Sequence, residues 1–227
     1  MRGMKISVVI PALNEEKTVG SVVAGALMFA DEVIVVDDGS RDRTSEVARA
    51  AGAKVINHPR RMGAYRALKT GFRAASGDVI ITMGADGQHD PADIPRLLEP
   101  ILSGEADLVL GVRRELPHFS ERFIRVLVSL CVKCSDASTG MVAVRKDLLR
   151  RIRLWGDCPC GILVLEAHGL GARIKEVPIE VRPRRFGRRR IRTRHVRQSF
   201  FVALELILTW ARRLARLRSR SSFSCSL

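Results

Sequence analysis

The sequence predicts an α/β fold with a doubly wound, mostly parallel sheet. Three features predict it: short β-branched apolar runs, segments of helical spacing between them, and acids clustered where the runs end. Ile6-Ser7-Val8-Val9-Ile10 is a run of the kind that parallel sheets bury on both faces. Similar runs follow at Val33-Ile34-Val35-Val36, Lys54-Val55-Ile56-Asn57, Val79-Ile80-Ile81-Thr82 and Leu108-Val109-Leu110. Between them, Val19 to Ala30, Thr44 to Ala51, Ala64 to Ala75 and Ile94 to Leu102 carry helical spacing. Strict alternation implies right-handed βαβ crossovers. In such sheets ligands bind beyond the carboxyl ends of the strands, so the residues that follow each strand are the candidates for a site.

At 227 residues, 46% hydrophobic and 28% charged, the chain has the size and composition of a globular protein with a substantial core. Its net charge of +15 is concentrated. From Arg182 to Arg220 there are 14 arginines against one acid, Glu205, which leaves the preceding body nearly neutral. Such a segment attracts polyanions: membranes, nucleic acids or phosphorylated substrates. Nucleic acid is the weak member of that set, because a single tyrosine in the chain and little aromatic interleaving among the arginines leave little to stack bases. The N-terminus passes from Met1-Arg2-Gly3-Met4-Lys5 directly into an apolar strand, without a cleavable signal, which predicts a cytoplasmic location. Cys131-x-x-Cys134 and Cys158-x-Cys160 admit a reading as four zinc ligands. No His or acid joins them at ligand spacing, and Cys131, beside the apolar run Val126-Leu127-Val128-Ser129-Leu130, reads better as a small buried hydrophobe.

The strand ends carry the chemistry. Pro11-Ala12-Leu13-Asn14-Glu15-Glu16 follows the first strand, Asp37-Asp38-Gly39-Ser40-Arg41-Asp42-Arg43-Thr44 the second, and Met83-Gly84-Ala85-Asp86-Gly87-Gln88-His89-Asp90-Pro91 the fourth. Ribose hydroxyls and base N–H groups need acceptors, and a pyrophosphate needs its charge neutralised by a cation. Asp42 and Thr44 also suit plain capping of the next helix.

With these motifs the sequence resembles the family-2 glycosyltransferases of the GT-A fold, in particular the dolichyl-phosphate mannose synthase branch of polyprenyl-phosphate glycosyltransferases. The resemblance runs from about Lys5 to Ile191 and rests on Val9 to Glu16, Val35 to Ser40, Asp86 to Pro91 and Glu176-Val177-Pro178-Ile179. It implies that Pro11, Leu13, Glu15, Val36, Asp38 and Ala85 line the donor nucleotide, and that Asp86 and Gln88 hold the Mg²⁺ or Mn²⁺ that bridges the diphosphate. It implies a catalytic set of Asp86, Arg113, Arg184 and Arg190, the last two in a loop closing over the diphosphate and the acceptor phosphate. Arginine suits that task because its planar fork binds phosphate bidentately and stays charged. Arg122, Arg125 and Asp136 match the acceptor side, a turn or cap being the other reading of Asp136. Two positions depart from the pattern: Gly84 replaces the first acid of the Asp-x-Asp metal motif, and Tyr65 stands where a second glycine is usual. Magnesium commonly uses one or two carboxylates with phosphates and waters, so a reduced site can still bind it.

The resemblance implies transfer of a hexose, from a donor of the GDP-mannose or UDP-glucose type, to a polyprenyl or dolichyl phosphate with inversion. A lipid phosphate is already ionised, whereas a hydroxyl acceptor must lose a proton to a general base. Transfer to a soluble hydroxyl acceptor, and a catalytically weakened nucleotide-sugar-binding protein marked by Gly84, are the alternatives. The expected organisation is a GT-A glycosyltransferase domain over 1–191, a basic amphipathic helical appendage over 192–218 and a disordered tail over 219–227. Phe200 to Ala211 is too short to span a bilayer, which takes about 20 apolar residues. A helix with aromatic residues and leucines on one face and arginines beside it lies instead at an anionic membrane surface, making the protein peripheral on the cytoplasmic face. The other reading packs this helix on the body or on a membrane-protein partner.

Overall fold

The structure, a computed structural model, describes residues 3–114, 118–156, 158–183, 198 and 200–210. Arg184 and Arg190, the 192–197 part of the appendage and the expected tail lie outside the described residues. Seven strands form one sheet: β1 (Ile6–Ala12), β2 (Glu32–Asp37), β3 (Lys54–Asn57), β4 (Val79–Thr82), β5 (Leu108–Val112), β6 (Val142–Arg145) and β7 (Ile174–Pro178). Their order across the sheet is β3-β2-β1-β4-β6-β5-β7. All neighbours are parallel except β6, which runs antiparallel to both β4 and β5. Helices α1 (Val19–Leu27), α2 (Thr44–Ala50), α3 (Ala64–Ala74) and α4 (Ile94–Leu102) are the crossovers between the first five strands. Further on come α5 (Phe119–Ser129), α6 (Lys146–Arg151) and α7 (Ile162–Gly169). Residues 198 and 200–210 are helical.

β1 and β2 run further than their apolar cores suggest, because the parallel register carries on through Pro11↔Val36 and Ala12↔Asp37. α1 stops at Leu27, short of Ala30. There the chain turns back, and Asp31 accepts from the Ile6 N–H at 2.7 Å to start β2 beside β1. Strand alternation sends Val8, Ile10, Val33, Val35 and Ile81 to a core covered by α1, α2 and α4. Val9, Ile34, Val36 and Ile80 face a second core under α3, α5 and α7. The sheet is therefore buried on both faces, as near-continuous apolar strands require.

The expected burial of Cys131 among Val126 to Leu130 needs correction. That run winds along the last turn of α5, with Val128 buried and Val126 and Leu130 exposed, and Cys131 just beyond it is half-buried against the core. The enclosed thiol is Cys134, pushed up to about 12 by burial and by the neighbouring Glu176 carboxylate, and hence protonated at neutral pH.

Gly71 of α3 lies against β1. A Cβ added there would sit 2.2 Å from Val9 Cγ1 and 3.3 Å from Val36 Cγ2. A helical glycine normally loses about 0.5–1 kcal/mol relative to alanine, but overpacking a core costs about 1–3 kcal/mol. Gly71→Ala should therefore destabilise the protein by about 1 kcal/mol or more in urea denaturation. An unchanged or raised midpoint would show that α3 can move away from β1.

Candidate active site

The turns after β1 and β2 are laced together by their own side chains. Asn14 takes a left-handed φ of 54°, which Asn tolerates better than most residues. Its backbone N–H donates to Ser40 Oγ at 2.9 Å, and its side-chain oxygen accepts from Arg41 N at 2.8 Å. Glu15 N–H donates to Thr44 Oγ1 at 2.8 Å, and Glu16 Oε2 accepts from Arg43 N at 3.1 Å. Asp42 accepts from Thr44 N at 3.1 Å, a two-residue turn just ahead of α2, whose N-cap is Arg43. Asp37 holds the same turn, accepting from Ser40 N at 2.8 Å and from the Ser45 hydroxyl.

Asp38 is buried and fully engaged. It accepts from His58 Nδ1 at 2.9 Å, from Met62 N at 2.8 Å and from Gly63 N at 2.7 Å. These bonds pull the 58–63 loop over the β2 turn, so that a Cβ at Gly39 would sit 2.8 Å from the Arg60 carbonyl carbon. Gly39 has φ +80°, so the backbone there calls for glycine on both counts. Of the residues expected to line the nucleotide, Val36, Asp38 and Ala85 are buried, Val36 in the core beneath α3. Pro11, Leu13 and Glu15 are half-buried at the strand ends and keep surface for a ligand. Arg60 and Arg61 are exposed on the loop that Asp38 anchors, a pair of cations the sequence reading passed over. Their signal was the run His58-Pro59-Arg60-Arg61-Met62-Gly63, which departs from the glycine-rich pattern usual there. A separate cleft of about 400 Å³ opens between these strand ends and α2, walled by Asp37, Ser40, Asp42, Ser45, Arg49 and His58 among others.

After β4 the chain forms a compact turn. Gly84 N–H donates to His89 Nδ1 at 3.1 Å, and Gln88 N–H donates to Asp86 Oδ1 at 3.2 Å. Burial lowers the pKa of His89, against the pull of Asp86, so the ring is neutral at pH 7 and its remaining proton sits on Nε2. A Cβ at Gly84 would lie 3.1 Å from Asp86 Oδ1, so the acid missing from the metal motif would stand directly beside the one that remains. Gln88 gives its amide N–H to the Arg182 carbonyl at 3.2 Å, and Arg182 N–H returns a bond to Gln88 O at 2.9 Å. His89 bridges Val181, and Arg182 pairs with Asp90. The chain that continues into Arg184 to Arg190 thus departs from a point fastened to the Asp86–Gln88 turn. Among the described residues no cluster of three His, Cys, Asp or Glu is placed to hold a metal. One carboxylate and an amide oxygen fit a divalent cation that takes its other ligands from diphosphate and water.

Beyond β5, Arg113 is clamped rather than open. Its Nε donates to Asp136 Oδ2 at 2.6 Å and its Nη2 to Asp136 Oδ1 at 2.9 Å, a bidentate pair, while Nη1 reaches Glu121 at 3.4 Å. Asp136 has no exposed surface and also accepts from Ser138 N at 3.0 Å. The Asp136 carboxylate thus positions Arg113 and accepts from the Ser138 N–H within its own turn. Arg122 and Arg125 are exposed on α5, the first directly after Glu121 and the second one turn on. The structure brings Asp86, Gln88 and His89 into one turn and sets Arg113 within electrostatic reach of His89.

Removing Asp136 would leave the Arg113 guanidinium buried with only the longer Glu121 contact. Asp136→Ala should cost about 3 kcal/mol in chemical denaturation, and Asp136→Asn less. Equal, small effects of both changes would mean that the pair is not the buried clamp described.

Comparison with known proteins accords with this geometry. The family model for glycosyl transferase family 2 matches residues 7–153. An uncharacterised protein of Methanocaldococcus jannaschii is 32% identical over 201 residues, 78% of this chain and 81% of its own. The dolichol-phosphate mannosyltransferase of Pyrococcus furiosus is 32% identical over 200 residues, 77% of this chain and 56% of that protein. The dodecaprenyl-phosphate galacturonate synthase of Rhizobium johnstonii is 30% identical over 179 residues, covering 69% of this chain and 52% of its own. The chain thus spans about half the length of these two transferases. Among solved structures, Mycobacterium tuberculosis glucosyl-3-phosphoglycerate synthase, in complex with Mn²⁺, UDP-glucose and phosphoglyceric acid, superposes with a TM-score of 0.75 at 30% identity. That match covers 91% of this chain and 80% of the other. The order β3-β2-β1-β4 with acids at its strand ends, the family match over most of the chain and these relatives together make this protein a member of glycosyl transferase family 2 with the GT-A fold.

Proposed function

We propose that this protein transfers a hexose from a nucleoside-diphosphate sugar to a polyprenyl phosphate, with inversion at the anomeric carbon. The observation that carries the choice of acceptor is the state of Asp136. A hydroxyl acceptor needs a general base within hydrogen-bond reach. Asp136, the acid expected on that side, is sealed beneath Arg113 with both oxygens occupied. A phosphate acceptor arrives ionised and asks only for cations, which the exposed Arg122 and Arg125 of α5 supply. The polyprenyl-phosphate acceptors in the names of the Pyrococcus and Rhizobium relatives support the same reading.

In this reading Pro11, Leu13 and Glu15 hold the nucleotide against the wall that Val36, Asp38 and Ala85 support from behind. An acceptor phosphate oxygen attacks the anomeric carbon as the bond from that carbon to the diphosphate breaks, and the departing electron pair stays on the diphosphate. The chain's part is alignment and charge, since preorganised cations stabilise the leaving group most in a water-poor site. Asp86 and the Gln88 amide oxygen would hold Mg²⁺ or Mn²⁺, which when bound supplies positive charge to the diphosphate. Arg184 and Arg190 follow Arg182 closely enough in the chain to close over it. The polyprenyl acceptor also implies work at a membrane surface, on the cytoplasmic face. Among the described residues no helix is long and apolar enough to cross a membrane.

A second reading, transfer to the hydroxyl of a soluble acceptor, is favoured by the glucosyl-3-phosphoglycerate synthase, whose structure includes phosphoglyceric acid and matches 91% of this chain. Purified protein incubated with labelled GDP-mannose or UDP-glucose, polyprenyl phosphate and Mg²⁺ or Mn²⁺ should give label in the organic phase. Label appearing only in a water-soluble product would replace the first reading with the second. Donor binding without turnover on either acceptor would mark a weakened homologue.

Restoring the missing acid tests the metal assignment. Gly84→Asp places a second carboxylate beside Asp86 and should tighten Mn²⁺ binding on the order of tenfold by calorimetric titration. Unchanged affinity would remove Asp86 from the metal site.

A further inference from the structure

Two helices present apolar stripes to solvent beside one another. On α5, Glu121, Ile124 and Val128 point into the core, while Phe119, Phe123, Val126 and Leu130 are exposed, Phe119 to 81%. Their spacing of four, three and four residues puts those four side chains on one outward face. The helix at 200–210 is inverted. Its inward stripe is mostly polar: Gln198, Val202, Glu205 and Thr209 are all buried. Each polar member has a partner on the body. Trp155 Nε1–H donates to Glu205 at 2.7 Å, the Gln198 amide bonds the Cys158 N–H and the Cys158 and Cys160 carbonyls, and the Thr209 hydroxyl reaches the Leu165 carbonyl at 3.4 Å. Phe200, Leu204, Ile207, Leu208 and Trp210 are left facing out. The inner faces of the two helices meet at Gly161, where an added Cβ would lie 2.9 Å from Val202 and 3.1 and 3.2 Å from Ile124 and Val128.

We propose that α5 and the 200–210 helix form one docking face for an anionic lipid bilayer, with α5 as its second half. Charge decides between a bilayer and a second copy of the chain. The helix is flanked in sequence by the 14 arginines between Arg182 and Arg220, and its one acid, Glu205, is turned inward to Trp155. Arg122 and Arg125 add exposed cations along the edge of the α5 stripe. A two-fold contact between copies would bring these like charges together, which opposes association. An anionic leaflet instead accepts apolar side chains at its interface and cations among its headgroups. On its inner side the first turn of α5 contacts Arg113 through Glu121, so this one helix links the exposed face to the candidate site. The proposal takes from the transferase reading only that the acceptor is a lipid; the surface argument itself does not use the site.

The test is vesicle flotation of the full chain with phosphatidylcholine alone and with added phosphatidylglycerol. The wild type should float with anionic vesicles and not with neutral ones. A variant with Phe119→Ser, Phe123→Ser and Val126→Ser, and another with Ile207→Ser and Trp210→Ser, should each weaken association on the order of tenfold or more. Both should keep the wild-type thermal midpoint and donor binding, since these side chains are exposed and lie outside the donor site. Unchanged flotation of the α5 variant overturns the proposal, as does equal flotation with neutral vesicles. A wild-type dimer that the variants convert to monomer, with flotation unaltered, would assign the face to a second copy. Flotation retained by a wild type that binds no donor would overturn the transferase reading and leave this one standing.

Discussion

The carboxylate of Asp38 is the point on which the candidate site depends. Sealed at the end of β2, it receives two backbone N–H groups and an imidazole, all from the loop that follows β3. A buried carboxylate is tolerated only when its lone pairs are filled, so burial and loop position impose each other. The loop it holds carries Arg60 and Arg61 across the Gly39 turn and delivers Gly63 as the first residue ahead of α3. From there α3 lies down on β1, with Gly71 touching Val9. One acid thereby ties the second strand, the third strand's exit and the helix covering the first.

The same economy runs through the other acids at the strand ends. Asp37 and Asp42 organise the β2 turn, Glu16 meets Arg43, and Asp136 clamps Arg113. Asp86 is different in position, since it stands at the end of β4, next to the point where the chain order reverses between β1 and β4. Open α/β sheets bind ligands at that crevice. Asp86 also accepts from Gln88 N–H within its turn, but it stands beside a glycine where the family pattern has a second carboxylate.

The C-terminal helix shows how a local pattern acquires its meaning from a neighbour. α7 is apolar and buried almost all round, so it needs covering on the side away from the sheet. The 200–210 helix supplies that cover with its polar stripe, because α7's approach offers backbone carbonyls, the Cys158–Cys160 turn and the Trp155 indole as partners. Val202, Phe201 and Leu206 pack inward beside that stripe, and Phe200, Leu204, Ile207, Leu208 and Trp210 are left outward, an unusual number for a water-soluble domain.

Much of the fold was legible in the chain. The bounds of β3, β4 and α4 followed from their apolar runs, because buried parallel strands and amphipathic crossovers leave strong periodic signals. β6 and β7 were not legible as strands. β6 has four residues and runs against its neighbours, and β7 reads Ile-Lys-Glu-Val-Pro at the sheet edge with no continuous apolar run. The sequence by itself determined the alternation of strands and helices, the placing of acids at strand ends and the concentration of arginine near the C-terminus. The tertiary structure alone decided which acids are engaged by distant partners, because Arg113 and Asp136 or Asp38 and Gly63 stand more than 20 residues apart. It also decided which face of the last helix is inward, since the polar groups that satisfy Gln198, Glu205 and Thr209 come from segments roughly 40 to 50 residues away.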